Sequence, residues 1–367
     1  MTKNKINRRN FVSLAAASSL AAPAILTATR VDAAEVSKMA GQLLVIGFPG
    51  KSVGDQSAKN LASHIKNGHA GGALFLRHNV KSRKNVTALS GLMTNASSLS
   101  LNAIDQEGGK VQRLGKKHGF SAIPTAQWVA GNKSVEEARA IYARAGKELR
   151  NAGFNFNMAP SVDIHDPKNP VIGKYGRSFS TDVERIAAYA GAFVDGFAAA
   201  GVACSLKHFP GHGSSRSDSH DGFVNISGTW NNDELVPFQK LAGKAPLIMS
   251  GHLYHKSMSA GKEPITFSRK ALTSMLRKQL GYRGVIITDD LDMGAIRKSF
   301  KLKDAIIMAL AAGNDLLLLS NSLKYDADLA PKAVNWITSA VKEGRLTKEQ
   351  IAASHARVMR LKQSVAL

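Results

Sequence analysis

The chain alternates short apolar runs with longer segments of helical periodicity, about eight times over. Continuous apolar runs of this length are typical of parallel strands that are buried on both faces. They cover residues 43–48, 72–76, 101–105, 154–160, 203–209, 246–252, 284–290 and 315–320. Strict alternation of such strands with helices predicts an α/β fold, and specifically a single-domain (β/α)8 TIM barrel.

Local signals mark the helices between these runs. Ser134 followed by Glu137 is a helix-starting pair, and Gly153 can end that helix. Further helical patterns cover residues 181–201, 268–281 and 301–313, and a last helix begins near Thr347. No Ser- or Pro-rich linker interrupts the pattern, so we expect one domain over residues 35–367.

The N-terminus has the order of an export signal. Basic residues of "NKINRRNF" precede an uncharged run from Phe11 to Thr29, and small residues follow at 31–34. This order predicts a signal peptide of the twin-arginine type over residues 1–34. We therefore expect the protein to be periplasmic or secreted.

The chain is strongly basic, with 49 lysine and arginine residues against 27 aspartate and glutamate residues and a formal net charge of +22. Such a charge attracts polyanions. The basic residues are spread along the chain, without the aromatic and basic interleaving that nucleic-acid binding uses. We expect no nucleic-acid partner, a loose association with an anionic cell wall or membrane surface, and a monomer.

Polar side chains follow the predicted strands at their C-terminal ends. In a barrel these ends form the active-site mouth, so the side chains should meet there. They are Arg77, Asp105, Asp163, Lys207, His208, His252, Asp289 and Asp290.

The stretch "KHFPGHGSSRSDSH", residues 207–220, concentrates three of the eleven histidines. A metal site is disfavoured because Pro210 and the neighbouring glycines deny a helix to two histidines four residues apart. A phosphate cradle is disfavoured because no helix pattern follows the glycines. Asp218 lies two residues before His220 and could orient its ring for proton transfer. An aspartate at residue 289 could then serve as a nucleophile opposite.

Four motifs make the chain resemble a known family. "KHFPGHGSSRSDSH", "IDQEGGKVQRL" (104–114), "NPVIGKYGRSFS" (169–180) and "VIITDDLDMGAI" (285–296) resemble the single-domain β-N-acetylglucosaminidases, or β-N-acetylhexosaminidases, of glycoside hydrolase family 3, the NagZ type. The resemblance runs from residue 41 to the last helix.

The resemblance implies a role for each matching residue. Asp289 would be the nucleophile, and His220 paired with Asp218 the general acid/base. Residues that would bind the sugar are Asp105, Arg113, Arg177, Lys207 and His208. Neither a metal nor another cofactor is implied. Because successive strand residues face opposite ways, only one of Asp289 and Asp290 should face the mouth, and Asp290 would hold the neighbouring loop.

The implied activity is hydrolysis, with retention, of terminal β-linked N-acetylglucosamine from peptidoglycan fragments or chitooligosaccharides. Two alternatives remain open: a phosphorylase that uses the same site, and an inactive, basic, wall-binding barrel. The chain departs from the family pattern at "DGFVNISGTW" (221–230) and "MSGHLYH" (249–255), which we expect to lie on the leaving-group side.

Overall fold

The computed structural model describes residues 33–322 and 324–367. Within them one sheet has eight parallel strands. The strands are β1 (Leu44–Gly47), β2 (Gly72–Phe75), β3 (Leu101–Ile104), β4 (Phe156–Asn157), β5 (Ala203–Phe209), β6 (Leu247–Ser250), β7 (Val285–Thr288) and β8 (Leu317–Leu319). Their order in the sheet is β7-β6-β5-β4-β3-β2-β1-β8. A bridge between Ile287 of β7 and Leu316, the residue before β8, closes the ring. Each strand lies in one predicted apolar run, so the predicted barrel is confirmed.

Helices surround the strands. They are α1 (Ala33–Gln42), α2 (Gln56–Lys66), α3 (Arg83–Ala96), α4 (Ala126–Asn132), α5 (Val135–Asn151), α6 (Val183–Ala198), α7 (Val236–Leu241), α8 (Lys270–Gln279, π-helical), α9 (Gly294–Arg297), α10 (Leu302–Ala312), α11 (Leu329–Lys342) and α12 (Lys348–Ser364). The predicted start of α5 is confirmed, because the Ser134 hydroxyl accepts from the Glu137 N–H while the Glu137 carboxylate accepts from the Ser134 N–H.

The predicted signal peptide lies almost wholly outside the described residues, since only Ala33 and Ala34 of residues 1–34 are included, and they begin α1. In the part of the chain that is described, no helix is long and apolar enough to cross a membrane.

Strand β4 is shorter than predicted. The apolar run covers residues 154–160, but only Phe156–Asn157 pair as a strand, followed by an isolated bridge between Ser161 and Lys207. Pro160 lies in the gap and has no N–H to donate to a neighbouring strand. The backbone nevertheless stays beside β5, because the carbonyls of Ala159 and Pro160 accept from the N–H groups of Ser205 and Lys207 at 3.0 and 3.1 Å.

A buried carboxylate holds the opposite end of the barrel together. Asp315 precedes β8, and its side chain is fully buried. It accepts from the Ile286 N–H at 2.9 Å, the Ser354 hydroxyl at 2.8 Å, Arg357 Nε at 2.9 Å and Arg277 Nη2. One side chain thus joins β7, α8 and α12.

Asp315→Asn should lower the free energy of unfolding by about 3 kcal/mol, because it leaves two partly buried guanidinium groups without their counter-charge. Urea denaturation measures this. Asp195→Asn is the matched control: Asp195 pairs with Lys244 at 2.8 Å but both side chains are about 40% exposed, so its loss should cost less than about 1 kcal/mol. Equal effects of the two substitutions would contradict the importance of the buried carboxylate.

Candidate active site

A cavity of about 290 Å³ opens at the C-terminal ends of the strands. Its lining residues are Arg77, Asp105, Lys110, Val111, Arg113, Val171, Tyr175, Arg177, Lys207, His208, Asp218, His220 and Asp289. All eight residues that the sequence singled out for catalysis or sugar binding are among them. A deeper space of about 200 Å³ shares five of these residues and adds an apolar wall that includes Met158, Met249, Met293 and Leu318.

A buried lysine lies at the centre of the cavity floor. The Lys207 ammonium contacts Asp105 Oδ1 at 2.8 Å and Glu107 Oε1 at 2.7 Å, and its side chain is only 4% exposed. Burial by itself would lower the pKa of Lys207, but the two carboxylates outweigh it and raise the pKa above its usual value. Lys207 is therefore held charged.

Glu107 is the residue that sequence reasoning missed. Its carboxylate receives Arg177 in a two-pronged ion pair, with Nε at 2.8 Å and Nη2 at 2.7 Å. Burial would raise the pKa of Glu107, yet Arg177 and Lys207 lower it to about 2. Glu107 lies two residues after Asp105 in the motif "IDQEGGKVQRL". Its place in a motif that also supplies Asp105 and Arg113 is the sequence feature that could have identified it as a site residue.

Asp105 connects Lys207 on the cavity floor to Arg113 on the cavity wall. Besides Lys207 it accepts from Arg113 Nη2 at 2.9 Å. Burial opposes ionisation of Asp105, but the two cations hold its pKa well below the usual range. The floor is thus a continuous network of alternating charges, which presents fixed donors and acceptors to a polar ligand.

Both Lys207 and His208 line the cavity, although successive residues of a regular strand face opposite ways. The pairing register between β5 and β6 shifts between Leu206 and Phe209. Such an irregularity re-aims the side chains beside it. The sequence pattern alone carries no sign of this shift.

His208 is oriented by Asp163. Its Nδ1 lies 2.8 Å from Asp163 Oδ2, while the N–H groups of His208 and His212 donate to Asp163 Oδ1 at 3.1 and 2.7 Å. Burial would raise the pKa of Asp163, but His208 and the other donors lower it to about 2. Because an ionised carboxylate only accepts, His208 Nδ1 must carry the proton.

His212 shapes the loop rather than lining the cavity. Its Nδ1 lies 2.6 Å from the Ser215 hydroxyl, and burial lowers its pKa to about 4. Asn169 braces the same turn by donating to the carbonyls of His212 and Gly213 at 2.7 and 2.9 Å. Among residues 33–322 and 324–367, no group of three or more His, Cys, Asp or Glu is arranged to hold a metal ion.

Asp218 and His220 form a second aspartate–histidine pair, at the cavity's edge. Asp218 Oδ1 accepts from the His220 N–H at 2.8 Å and lies 2.7 Å from His220 Nδ1. Partial burial opposes ionisation of Asp218, but the hydrogen bonds to His220 lower its pKa. The carboxylate therefore accepts a hydrogen bond from the Nδ1–H group of His220. The ring is 68% exposed, and its Nε2 is left free to exchange protons.

The pKa values of the adjacent carboxylates of Asp289 and Asp290 are shifted in opposite directions. Burial would raise the pKa of Asp289, but His252, His208 and His220 lower it below the usual value. Burial raises the pKa of Asp290 to about 6. Asp289 lines the open cavity, whereas Asp290 accepts from the N–H groups of Ser320 at 2.8 Å and Asp292 at 3.0 Å, and so holds the loop after β8.

His252, which follows β6, contacts the backbone next to Asp289. Its Nε2 lies 2.9 Å from the Asp290 carbonyl and its Nδ1 lies 2.8 Å from the Thr266 hydroxyl. Both ring nitrogens are thereby engaged, and burial lowers the pKa of His252. The ring acts on the cavity through its position beside Asp289, because it does not line the open space.

A buried glutamate lies beneath the histidine loop. Glu234 accepts from the Gly213 N–H at 3.2 Å and from the Ser214 hydroxyl, and only 2% of the residue is exposed. Burial raises the pKa of Glu234 to about 7, and the nearby negative charge of Asp163 adds to this. Glu234 therefore titrates close to neutral pH.

Glu234→Gln should remove a pH dependence of stability. Because the folded-state pKa is raised from 4.5 to about 7, the contribution of Glu234 is complete below pH 4.5 and is lost as the pH rises through about 7. The free energy of unfolding of the variant should gain about 3 kcal/mol relative to wild type between these limits. Urea denaturation at the two pH values tests this. Glu136→Gln, at an exposed position, is the control. If the free energy of unfolding of Glu234→Gln changes with pH as that of the wild type does, the raised pKa of Glu234 is contradicted.

Sequence comparisons identify the family of this chain and some of its relatives. A profile of the glycosyl hydrolase family 3 N terminal domain matches residues 35–361. Beta-hexosaminidase A of Pseudoalteromonas piscicida is 32% identical, over 92% of this chain and 63% of its own length. Beta-hexosaminidase LpqI of Mycobacterium tuberculosis is 33% identical, over 88% of this chain and 81% of its own length.

Solved structures show the same architecture. A family 3 beta-N-acetylglucosaminidase from Paenibacillus sp. has a TM-score of 0.82 and 34% identity, and covers 90% of this chain and 62% of its own. Beta-N-acetylhexosaminidase from Beutenbergia cavernae has a TM-score of 0.78 and 27% identity, and covers 89% of this chain and 98% of its own. The chain thus spans less than two thirds of the Pseudoalteromonas and Paenibacillus relatives. Because the family profile covers most of its length, the chain belongs to glycosyl hydrolase family 3.

Proposed function

We propose that this protein is a retaining β-N-acetylhexosaminidase that removes terminal β-linked N-acetylglucosamine. One observation carries the proposal: Asp289, with a lowered pKa, and the Asp218–His220 pair line the same cavity. A carboxylate and a proton-exchanging group on one cavity are what double displacement at a sugar requires. The names of the relatives support N-acetylhexosamine as the sugar.

In the first half-reaction, a carboxylate oxygen of Asp289 attacks the anomeric carbon while the bond to the leaving oxygen breaks. His220, as imidazolium, gives its Nε2 proton to that oxygen. The products are a glycosyl-enzyme ester on Asp289, a free alcohol and a neutral imidazole. The Asp218 carboxylate stabilises the imidazolium beforehand, at 2.7 Å from Nδ1.

In the second half-reaction, neutral His220 takes a proton from water as the water oxygen attacks the anomeric carbon. The bond to Asp289 breaks, and the carboxylate and the imidazolium are restored. The high exposure of the His220 ring supports access of water at this step.

The charge network of the floor is proposed to bind the terminal sugar. Asp105, Arg113 and Lys207 offer charge-assisted hydrogen bonds to hydroxyl groups, and Arg177 and His208 add donors from the wall. These groups are already held by one another, so little reorganisation accompanies binding. No cofactor takes part in the proposed steps.

The proposed substrates are peptidoglycan fragments or chitooligosaccharides, met outside the cytoplasm. Support for export comes from the sequence of residues 1–34 alone, with Arg8 and Arg9 ahead of an uncharged run. The net charge of +22 supports a loose association of a monomer with an anionic wall or membrane surface.

Asp289→Ala should lower turnover of 4-nitrophenyl β-N-acetylglucosaminide by about 10⁴-fold or more, because the nucleophile is removed. His220→Ala should cost about 10²- to 10⁴-fold on substrates with poor leaving groups and much less on activated phenols, which depart without protonation. Steady-state kinetics with a series of aryl glycosides measures both. Asp221→Ala, a neighbour in the same loop, is the control and should keep its rate.

Trapping supplies the decisive check on the same proposal. With a 5-fluoro N-acetylglucosaminyl fluoride, intact-protein mass spectrometry should find a glycosyl adduct on Asp289. Wild-type activity in Asp289→Ala would contradict the proposal. Formation of N-acetylglucosamine 1-phosphate in phosphate buffer would instead identify a phosphorylase, and binding of wall polymer without any turnover an inactive barrel.

Replacing Arg8 and Arg9 by lysine should block export, because the twin-arginine pair is the recognised feature of such signals. Fractionation of expressing cells, with mass determination of the N-terminus, measures this. Replacing Lys3 and Lys5 by arginine is the control. Wild-type protein found only in the cytoplasm with residues 1–34 intact would contradict export.

A further inference from the structure

An exposed phenylalanine ring contacts a half-buried tyrosine ring beside the acid/base loop. Phe223 is 55% exposed, the highest value among the large apolar side chains that are exposed in the described residues. Its ring lies 5.3 Å from that of Tyr254, centroid to centroid, at an interplanar angle of 37°. The two rings come from "DGFVNISGTW" and "MSGHLYH", the segments in which this chain departs from the family pattern.

A short ladder presents both rings on one face. Val224–Asn225 pairs in parallel with Leu253–Tyr254, and the Ile226 N–H donates to the Tyr254 carbonyl at 2.9 Å. Val224 and Leu253 are fully buried, so the alternation along each strand turns Phe223 and Tyr254 outward. The buried face anchors the ladder, and the outward face is an aromatic platform made of these two rings.

The backbone next to the platform is also anchored. The Ala295 N–H donates to the Ser219 carbonyl at 3.2 Å, and Lys298 Nζ donates to the Asp221 carbonyl. A side chain at Gly294 would meet the His220 carbonyl at 2.4 Å, so α9 packs directly against this turn. Three residues of this anchored chain separate His220 from Phe223, so their Cα atoms are about 10 Å apart at most.

We propose that the Phe223–Tyr254 platform binds the sugar ring of the leaving group, next to the scissile bond. His220 gives its proton to the oxygen that joins the two sugars, so the leaving ring must lie close to the loop that carries both His220 and Phe223. The C–H face of a pyranose is apolar and covers an aromatic ring, while its hydroxyl edges stay in water. This inference rests on the proposed function and names its leaving group as a saccharide.

The alternative is that the two rings are exposed without binding a ligand. Their contact and their anchored backbone favour a binding surface. Single exposed apolar side chains need no explanation, but here the exposed Phe223 ring contacts a second ring on an anchored ladder, three residues from the proposed acid/base. The two rings do not line the cavity itself, so a ligand that reaches them must extend out of that cavity, as the leaving sugar of a longer saccharide would.

The test compares two substrates with Phe223→Ala. Chitobiose places a second ring on the leaving-group side, whereas N-acetylglucosaminyl fluoride places only a fluorine there. The ratio of kcat/KM on chitobiose to kcat/KM on the fluoride should fall about tenfold, the size of a lost stacking contact. Phe223→Trp should restore the ratio. Tyr325→Ala, which removes a ring that is 38% exposed and does not line the cavity, is the control and should leave the ratio unchanged.

An unchanged ratio, or equal losses on both substrates, would overturn the platform while leaving the proposed function intact. If the wild type cleaves neither substrate, the proposed function fails, and binding still decides the platform. Calorimetry with Asp289→Asn should then show that Phe223→Ala weakens chitobiose about tenfold more than it weakens N-acetylglucosamine. Equal weakening would overturn the inference.

Discussion

The ammonium group of Lys207 is the constraint on which the mouth of this barrel depends. A charge with so little exposure is tolerated only if it is paired and hydrogen-bonded. Asp105 and Glu107 meet that need, and their own charges are in turn met by Arg113 and Arg177. Because each member satisfies a neighbour, the network fixes the ends of β3 and β5 and the loop after β4 in one arrangement. Removing Asp105 would leave Arg113 without its carboxylate partner, and removing Glu107 would do the same to Arg177.

Two aspartate–histidine pairs have the same chemistry, but they differ in burial and therefore in what they can do. Asp163 and His208 are buried against the barrel, and the same carboxylate also holds the backbone of the histidine loop. Asp218 and His220 have the same type of contact, at 2.7 Å, but the ring is mostly exposed. The first pair can position and bind, whereas the second has the access to solvent and substrate that proton transfer needs. Glu234 lies beneath the loop and accepts from Gly213 and Ser214, and burial raises its pKa to about 7.

Much of the site could be predicted because the barrel converts chain order into spatial position. Once the apolar runs are strands, residues at their ends must meet at one mouth, whatever their separation in sequence. Asp105, Lys207 and Asp289 are far apart in the chain and line one cavity for this reason. Glu107 was not predicted, because its importance lies in its ion pairs with Arg177 and Lys207. Pairing across loops leaves no periodic pattern in the sequence. The aromatic platform escaped for the same reason, since Phe223 and Tyr254 meet only through a ladder between two loops.

The sequence by itself determined the barrel, several of its helices and most of the residues that line the cavity, because apolar periodicity and capping chemistry act over short stretches of chain. Only the tertiary structure decided which charges pair, how β5 brings both Lys207 and His208 to the cavity, and which of two adjacent aspartates has its pKa lowered. Those outcomes depend on distances between side chains from different loops and on the burial of each group. A carboxylate such as Asp290 has its pKa raised to about 6 while its neighbour Asp289 has its pKa lowered, and the cause is their surroundings, since the two residue types are identical.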